Sequence, residues 1–363
     1  MSGTSLDGVD CALVDLSGPP ALVATRFLPY PPALRTSLLE LSQSGNDELE
    51  RAGRLGVDLS ERYAAAVSEL LAEAGIGAAS IRGIGCHGQT VRHRPESGFT
   101  VQLVNPALLA ERTRITVVAD FRSRDIAAGG QGAPLVPAFH AARFRSAERH
   151  RAVVNIGGIA NLTDLPTPTK GAVRGFDTGP GNLLLDLWAS RHLDADCDRD
   201  GGLASTGAVV PDLLERMLDD EYFDRPPPKS TGRERFNAEW LSAKLGEAHT
   251  PRDTGHAPAD VQATLAELTA HSIAAAIERC CPGAEEVYVC GGGVHNSDLM
   301  RRLQASLGGL PLATTDTLGV PADWVEAMAF AWLARQALEG SAGNLPDVTG
   351  ASGPRVLGAI YPA

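Results

Sequence analysis

Three glycine turns hold the residues of this chain best suited to chemistry. The first, MSGTSLDGVD over residues 1–10, sets Gly3 and Gly8 among hydroxyls and carboxylates and feeds the apolar run 11–16. Glycine lets backbone N–H groups approach an anion closely, because no Cβ intervenes. Ser2, Thr4 and Ser5 can donate to phosphate oxygens, Leu6 lies in the same turn, and Asp7 or Asp10 can hold a magnesium ion through water. The second turn runs from Gly157 and Gly158 to Asn161, and the third is Gly291, Gly292 and Gly293, followed by His295 and Asn296. Each alone reads as a phosphate or nucleotide contact or as an ordinary tight turn.

Strand-like and helix-like runs alternate along the chain, which predicts α/β layers to carry these turns. Residues 11–16 and 21–28 read as strands. Leu55, Leu59, Tyr63, Val67, Leu70 and Leu71 recur at helical spacing and predict a long helix over 49–74. Short strands are expected over 81–87, 100–103 and 115–120, with a helix beginning at Asn105-Pro106. Residues 153–156 and 162–165 flank the second turn as strands. Residues 287–290, the third turn and 294–307 give strand, glycine loop and helix. Apolar helices are predicted over 136–144 and 324–338. The flexible segment GGQGAP at 129–134 marks a lobe boundary. It divides an N-terminal lobe of residues 1–128, onto which 342–363 pack back, from a C-terminal lobe of residues 129–341.

Composition narrows the class of partner. The chain of 363 residues is long for one core, and its net charge of −12 argues against nucleic acid or an anionic membrane surface. No apolar run approaches the roughly 20 residues that span a bilayer, and no signal peptide is seen, so a cytoplasmic protein is expected. The six cysteines form no CxxC pair, and Cys280 and Cys281 are adjacent, which favours reduced thiols over zinc ligation. Neither GxxxxGK[ST] nor GxGxxG with a downstream carboxylate is present, so those nucleotide folds lose ground.

Taken together, the three turns resemble the layout of the sugar-kinase/actin/Hsp70 superfamily. More sharply, the chain resembles the anhydro-N-acetylmuramic acid kinases. The segments that carry the resemblance are MSGTSLDGVD, GCHGQTVRH, ADFRSRDIAAGGQGAPLVPAFH, NIGGIANLT, GFDTGPGNLLLD, STGRERFN and VCGGGVHN, in this order from the first residue to the C-terminal third. The resemblance implies an α/β, two-lobed actin-like/sugar-kinase ATPase fold with an interlobe active-site cleft, in which 133–144 and 324–338 cross between lobes. It implies a homodimeric enzyme of peptidoglycan recycling. With ATP, Mg²⁺ and water, that enzyme would open the 1,6-anhydro ring of anhydro-N-acetylmuramic acid to give N-acetylmuramic acid 6-phosphate.

Site residues follow from the same resemblance. Asp177, expected on a glycine-lined loop between lobes, corresponds to the family's catalytic aspartate and would take a proton from water. Gly3, Thr4 and Ser5 with Gly157 and Gly158 would meet the phosphates. Gly291, Gly292, Gly293 and Asn296 would line the adenine side, with Asn296 also able to cap the following helix. Arg124 is preferred for the lactyl carboxylate, while Arg122 is expected to pair with Asp120 or Asp125. Gln89 and Thr90 would bond sugar hydroxyls or the N-acetyl group. Glu326 either contacts the sugar or is a solvated or helix-N-terminal glutamate. His87, His93 and His140 read as structural. Two other readings stay open: a kinase for another 1,6-anhydro sugar such as levoglucosan, and a nucleotide-binding regulator without kinase activity. Family members ordinarily carry a few residues ahead of the first turn, forming the first arm of its hairpin. This sequence begins at the turn, so either that arm is encoded upstream of the assigned start or a sheet edge is left unpaired.

Overall fold

The computed structural model describes residues 1–3, 6–193, 195–246 and 255–363. The chain forms two compact units, residues 1–143 with 324–363, and residues 144–323. These boundaries replace the expected ones at 128/129 and 341/342. The helices over 136–144 and 324–338 had been placed in the second lobe, but almost all of the first and all of the second belong to the first unit.

The first unit opens with an antiparallel hairpin, β1 (Gly8–Asp15) and β2 (Ala21–Pro29), followed by α1 (Pro32–Leu41) and α2 (Glu48–Ala74). The face of α2 bearing Leu55, Leu59, Tyr63, Ala66 and Leu70 is buried, as the i, i+4 spacing requires, and Gly75 ends the helix in the left-handed conformation. Next come β3 (Ile84–Gly85), the hairpin β4 (Gln89–Arg94) and β5 (Phe99–Leu103), α3 (Pro106–Thr113), β6 (Val117–Ala119), α4 (Ser123–Ala127) and α5 (Val136–Phe144). Asn105 caps α3 by accepting from Leu108 N–H at 3.0 Å. The predicted strand over 81–87 shrinks to two residues. Its partner β6 is short and pairs with β3 over only two positions.

The second unit is built on the sheet β11-β10-β7-β8-β9. Its strands are β7 (Arg151–Ile156), β8 (Ile159–Leu165) and β9 (Arg174–Pro180), then β10 (Glu286–Cys290) and β11 (Leu312–Thr314). Between β9 and β10 lie α6 (Leu183–His192), α7 (Pro211–Leu218), α8 (Glu221–Asp224), α9 (Ala238–Leu245) and α10 (Pro258–Cys280). The helix α11 (Ser297–Ser306) follows β10. Val154, Leu162, Phe176, Leu265, Ile273 and Val289 are fully or almost fully buried in one core. The chain then returns to the first unit as α12 (Val325–Leu338), α13 (Pro346–Thr349) and β12 (Ala359–Tyr361).

Close packing explains why α12 belongs to the first unit. It lies directly on β3, where a Cβ at position 85 would collide with the Phe330 carbonyl, so only glycine permits the approach. Phe330 also stacks with Phe121 at 5.5 Å and with His87 at 4.7 Å between ring centroids. The final strand β12 pairs antiparallel with β6. Hairpin β1–β2 and the sheet β12-β6-β3 are separate among the described residues, and a cavity of about 980 Å³ lies against β1 and β3.

One buried carboxylate ties the glycine segment after α4 to the C-terminal residues. Asp125 is fully buried and accepts from Gly132 N–H at 2.8 Å, Asn344 Nδ2 at 2.7 Å and Thr349 Oγ1 at 2.7 Å. Replacing it strands three buried donors, each of which costs free energy when left unpaired. Asp125→Ala should therefore lower the urea-unfolding free energy by at least about 2 kcal/mol. An unchanged midpoint and slope would show that these contacts contribute nothing.

Candidate functional site

The residues expected to do chemistry fall into two groups, one in each unit. In the second unit, strand pairing builds a polar row across the sheet. Register sets Cys290 opposite Asn155, Asn155 opposite Asn161, and Asn161 opposite Asp177. Directly paired residues share a sheet face, so these four side chains line up side by side. Asp177 thus stands on strand β9, not on the loop that its glycine neighbours suggested. A bulge is responsible for part of the geometry. Register skips between Asn161 opposite Asp177 and Ala160 opposite Gly179, leaving Thr178 as the extra residue, and bulges re-aim side chains beside functional sites.

Asp177 is gripped at three of its atoms. Its N–H donates to Lys229 O at 3.1 Å, and its carbonyl accepts from Tyr222 Oη at 2.7 Å. Its Oδ2 accepts from Thr231 N–H at 3.0 Å. Two buried polar atoms of the residues around it, Asn161 Oδ1 and Thr231 Oγ1, have no hydrogen-bond partner among the described residues. A buried polar atom in that condition calls for a partner, such as water or a bound molecule. Asn161 had been assigned to the nucleotide; its register places it beside Asp177. The holders Tyr222, Lys229 and Thr231 were not singled out in the sequence. The only signal for Thr231 was its membership of STGRERFN, a block with no role attached to its members.

The glycine turns of this unit lie at the same end of the sheet. Gly157 O accepts from Asn182 N–H at 2.8 Å, and Gly158 O accepts from Gly181 N–H at 2.9 Å and Leu183 N–H at 3.1 Å. The β7–β8 turn therefore rests on the start of α6. Gly291 leaves β10 with φ of 81° and donates to Ala322 O at 3.0 Å. Gly292 is exposed and Gly293 is buried against Ile156. The expected single helix over 294–307 is a 3₁₀ turn, Gly292–His295, followed by α11. Asn296 is the cap of that helix, its Oδ1 accepting from Leu299 N–H at 2.9 Å.

In the first unit, Thr4 and Ser5 lie outside the described residues. Around them the turn is well held. Buried Ser2 donates to Gln89 Oε1 at 2.5 Å, Tyr30 Oη donates to Ser2 Oγ at 2.8 Å, and Gln89 Nε2 donates to Gly3 O at 3.2 Å. Gln89 was expected to bond the sugar; both ends of its amide serve the turn instead. Thr90 Oγ1 accepts from Gln102 Nε2 at 3.2 Å. Leu6 is buried with φ of 57°, Asp7 is exposed, Gly8 begins β1, and Asp10 N–H donates to Met1 O at 2.8 Å.

Arg122 departs from the pairing expected of it. Its guanidinium donates to Gly132 O at 2.7 Å and to His87 Nε2 at 2.9 Å, while Asp125 is occupied as described and Asp120 accepts from Ser123 Oγ. Burial, reinforced by Arg122, holds His87 well below the usual histidine range, so the ring is neutral and its Nε2 accepts. Burial also brings His140 down to about 3, which fits its structural reading. Arg124 is exposed on α4, and its guanidinium makes no hydrogen bond or ion pair with a described residue. Glu326 is half-buried in the first turn of α12. Burial, with Asp10 nearby, raises its pKa, partly offset by Arg122 and the terminal ammonium, so it is neither of the solvated kind nor far from Asp10 and Arg122.

No group of three or more histidine, cysteine or acidic side chains is poised for a metal among the described residues, and no described helix is long and apolar enough to cross a membrane. None of the six cysteines is in a disulfide.

Fold and site define an α/β protein whose second unit carries two glycine turns where its strands end, beside a gripped aspartate. The chain belongs to a family described as anhydro-N-acetylmuramic acid kinase, whose sequence profile it matches over residues 1–363. Relatives of that name include proteins of Nitrosomonas europaea, 54% identical over 100% of this chain and 98% of theirs, and of Bordetella petrii, 55% identical over 100% and 95%. Among solved structures, a ROK family glucokinase from Streptomyces griseus is similar at 13% identity and a TM-score of 0.39, covering 90% of this chain and 100% of that one.

The seat of the β7–β8 turn leaves no room at position 181, where a Cβ would collide with the Gly157 carbonyl. Gly181→Ala should push the turn off α6 and cost about 1–3 kcal/mol. Thermal unfolding checks this, and a midpoint equal to that of the parent protein would mean that the turn yields without cost.

Proposed function

We propose that the protein is the kinase its family describes, converting anhydro-N-acetylmuramic acid and ATP with water to N-acetylmuramic acid 6-phosphate and ADP. Full-length identity above half to relatives of that name supports the substrate, and the grip on Asp177 carries the chemical reading. The oxygen bridging C1 and C6 breaks its bond to C1 and forms one to the γ-phosphorus, as the bond from that phosphorus to ADP breaks. Water forms the new bond to C1, and its proton passes to Asp177. One water O–H directed at Asp177 leaves the other for Asn161 Oδ1, which accounts for that buried acceptor. C1 carries oxocarbenium character at this point, so a carboxylate beside it also stabilises developing charge.

Phosphate contacts fall to Gly157 and Gly158 in the second unit and to Gly3, Thr4, Ser5, Leu6 and Gly8 in the first. Backbone amides there would stabilise the charge on the transferring group. Gly291, Gly292 and Gly293, with Asn296 holding α11 in place, serve the nucleotide's base. Mg²⁺ is commonly held by one or two carboxylates, water and substrate phosphates, and exposed Asp7 and half-buried Asp10 fit that donor set. When bound, the ion neutralises phosphate charge. Arg124, with no partner of its own among the described residues, meets the lactyl carboxylate. Thr90 and Glu326 serve the sugar. Membership of the family supports a homodimer in the cytoplasm.

Asp177→Asn should lower kcat by roughly 10²- to 10⁴-fold while ATP still binds. Coupled ADP release with anhydro-N-acetylmuramic acid measures the loss, and ¹⁸O from labelled water should appear at C1 in the parent enzyme. Near-normal turnover by the variant would sink the base assignment. Removing Arg124 tests the substrate. A charge-assisted contact worth about 1.5–3 kcal/mol predicts that Arg124→Ala loses roughly 10- to 150-fold in kcat/KM on the muramic sugar. Activity on levoglucosan, which lacks the lactyl group, should hardly change, and equal losses on both sugars would refute this role.

A further inference from the structure

The segment that follows α7 surrounds Asp177 with more apparatus than a structural turn needs. Buried Tyr222, in α8, presents its ring to two cations, Lys229 Nζ at 4.6 Å and Arg235 Cζ at 5.6 Å from the ring centroid. Lys229 Nζ donates to Tyr222 O at 3.0 Å and Phe223 O at 3.2 Å, and Arg279 Nη2 donates to Phe223 O at 2.8 Å. These bonds close the segment on itself at the end of α8. From the closed segment come both backbone contacts to Asp177, the Tyr222 phenol on its carbonyl and the Lys229 carbonyl on its N–H. Asp220 completes the frame, accepting from Arg235 Nη2 at 2.5 Å and Trp240 Nε1 at 2.8 Å.

We infer that Lys229 and Tyr222 act as positioning residues for Asp177, the ammonium locking α8 so that the phenol and the Lys229 carbonyl fix the angle at which the carboxylate meets water. This inference rests on Asp177 acting as the base. Neither side chain touches the carboxylate; both act on the backbone that carries it. A carboxylate on a bulged strand needs such a restraint, because general-base catalysis depends on alignment and a displacement of about 1 Å can cost about 10²-fold in rate. The charge on Lys229 is itself adjustable. Burial, with Arg279 adding to it, brings the amine down to about 8. The groups facing it are Arg279 and Cys280 of α10, Asp224 and Arg225 at the end of α8, and the Tyr222 ring. Below that pH the lock is charged and closed; above it the amine is neutral and both the cation–π contact and the charge-assisted bonds weaken.

The test compares Tyr222→Phe, Lys229→Met and Lys229→Arg in the full chain, alone and combined with Asp177→Asn. Tyr222→Phe removes only the bond to Asp177 and keeps the ring in the core, so it remains informative even where Lys229→Met fails to fold. It should lower kcat about 10-fold with KM for ATP unchanged. Lys229→Met should lower kcat more, up to about 10²-fold, with Lys229→Arg restoring most of it and moving the alkaline fall in kcat upward by at least about one pH unit. In the Asp177→Asn background, adding Tyr222→Phe should change kcat little, because the group being positioned is gone. Full kcat in Tyr222→Phe, when Asp177→Asn is crippled, would overturn the positioning role and leave the base assignment standing. A Tyr222→Phe loss of the same factor in both backgrounds would also overturn it. Near-normal turnover in Asp177→Asn would instead remove the base assignment on which the inference rests.

Discussion

Cross-strand register in the second unit is the constraint on which the candidate chemistry depends. Asn155, Asn161 and Asp177 share a row only because β7, β8 and β9 pair at one particular offset. A slip of one residue would turn Asp177 to the opposite sheet face and bury a carboxylate among Val154, Leu162 and Phe176. The apolar residues that alternate with the row therefore specify it, since burying them admits no other offset. The Gly157–Gly158 turn sets the same register from its end, and its seat on α6 keeps the hairpin from rocking.

The polar groups of the row are unequal in their satisfaction. Asn155 is tied to the β10 end of the row, with Cys290 Sγ 3.8 Å from its Oδ1. Toward β9, Asn161 Oδ1 and Thr231 Oγ1 have no protein partner among the described residues. Folding alone would not select buried acceptors in that state, because each costs free energy that a hydrocarbon of the same shape avoids. Around the first turn of the first unit, Ser2 bonds both Tyr30 and Gln89, Gln89 Nε2 reaches Gly3 O, and Arg122 is spread between Gly132 and a neutral His87. Arg124 alone of that arginine pair extends into solvent.

Much of the fold was legible because its signals are local. The apolar stripe of α2, the Asn105-Pro106 start of α3 and the glycine turn between β7 and β8 need only neighbouring residues to be read. The placement of Asp177 was misread for an equally local reason, since Gly175, Thr178, Gly179 and Gly181 around it look like loop residues. Strand β9 tolerates them because the bulge at Thr178 and the close approach of Phe223 to Gly179 require small or irregular positions there. Arg122 was likewise expected to pair with its sequence neighbours Asp120 and Asp125. Its observed partners, His87 and Gly132, come from segments that the fold brings to it.

The sequence by itself determined the family and the α/β layering and singled out Asp177 as a candidate, because motif blocks and hydrophobic periods are properties of short stretches. Tertiary structure alone decided which unit claims α12, which face of the sheet Asp177 occupies, and that Tyr222, Lys229 and Thr231 hold it in place. Those outcomes turn on strand register and on contacts between residues distant in sequence, such as Tyr222 with Asp177 and Phe330 with Gly85. Such contacts are set by packing and register over the whole unit, and no local pattern encodes them.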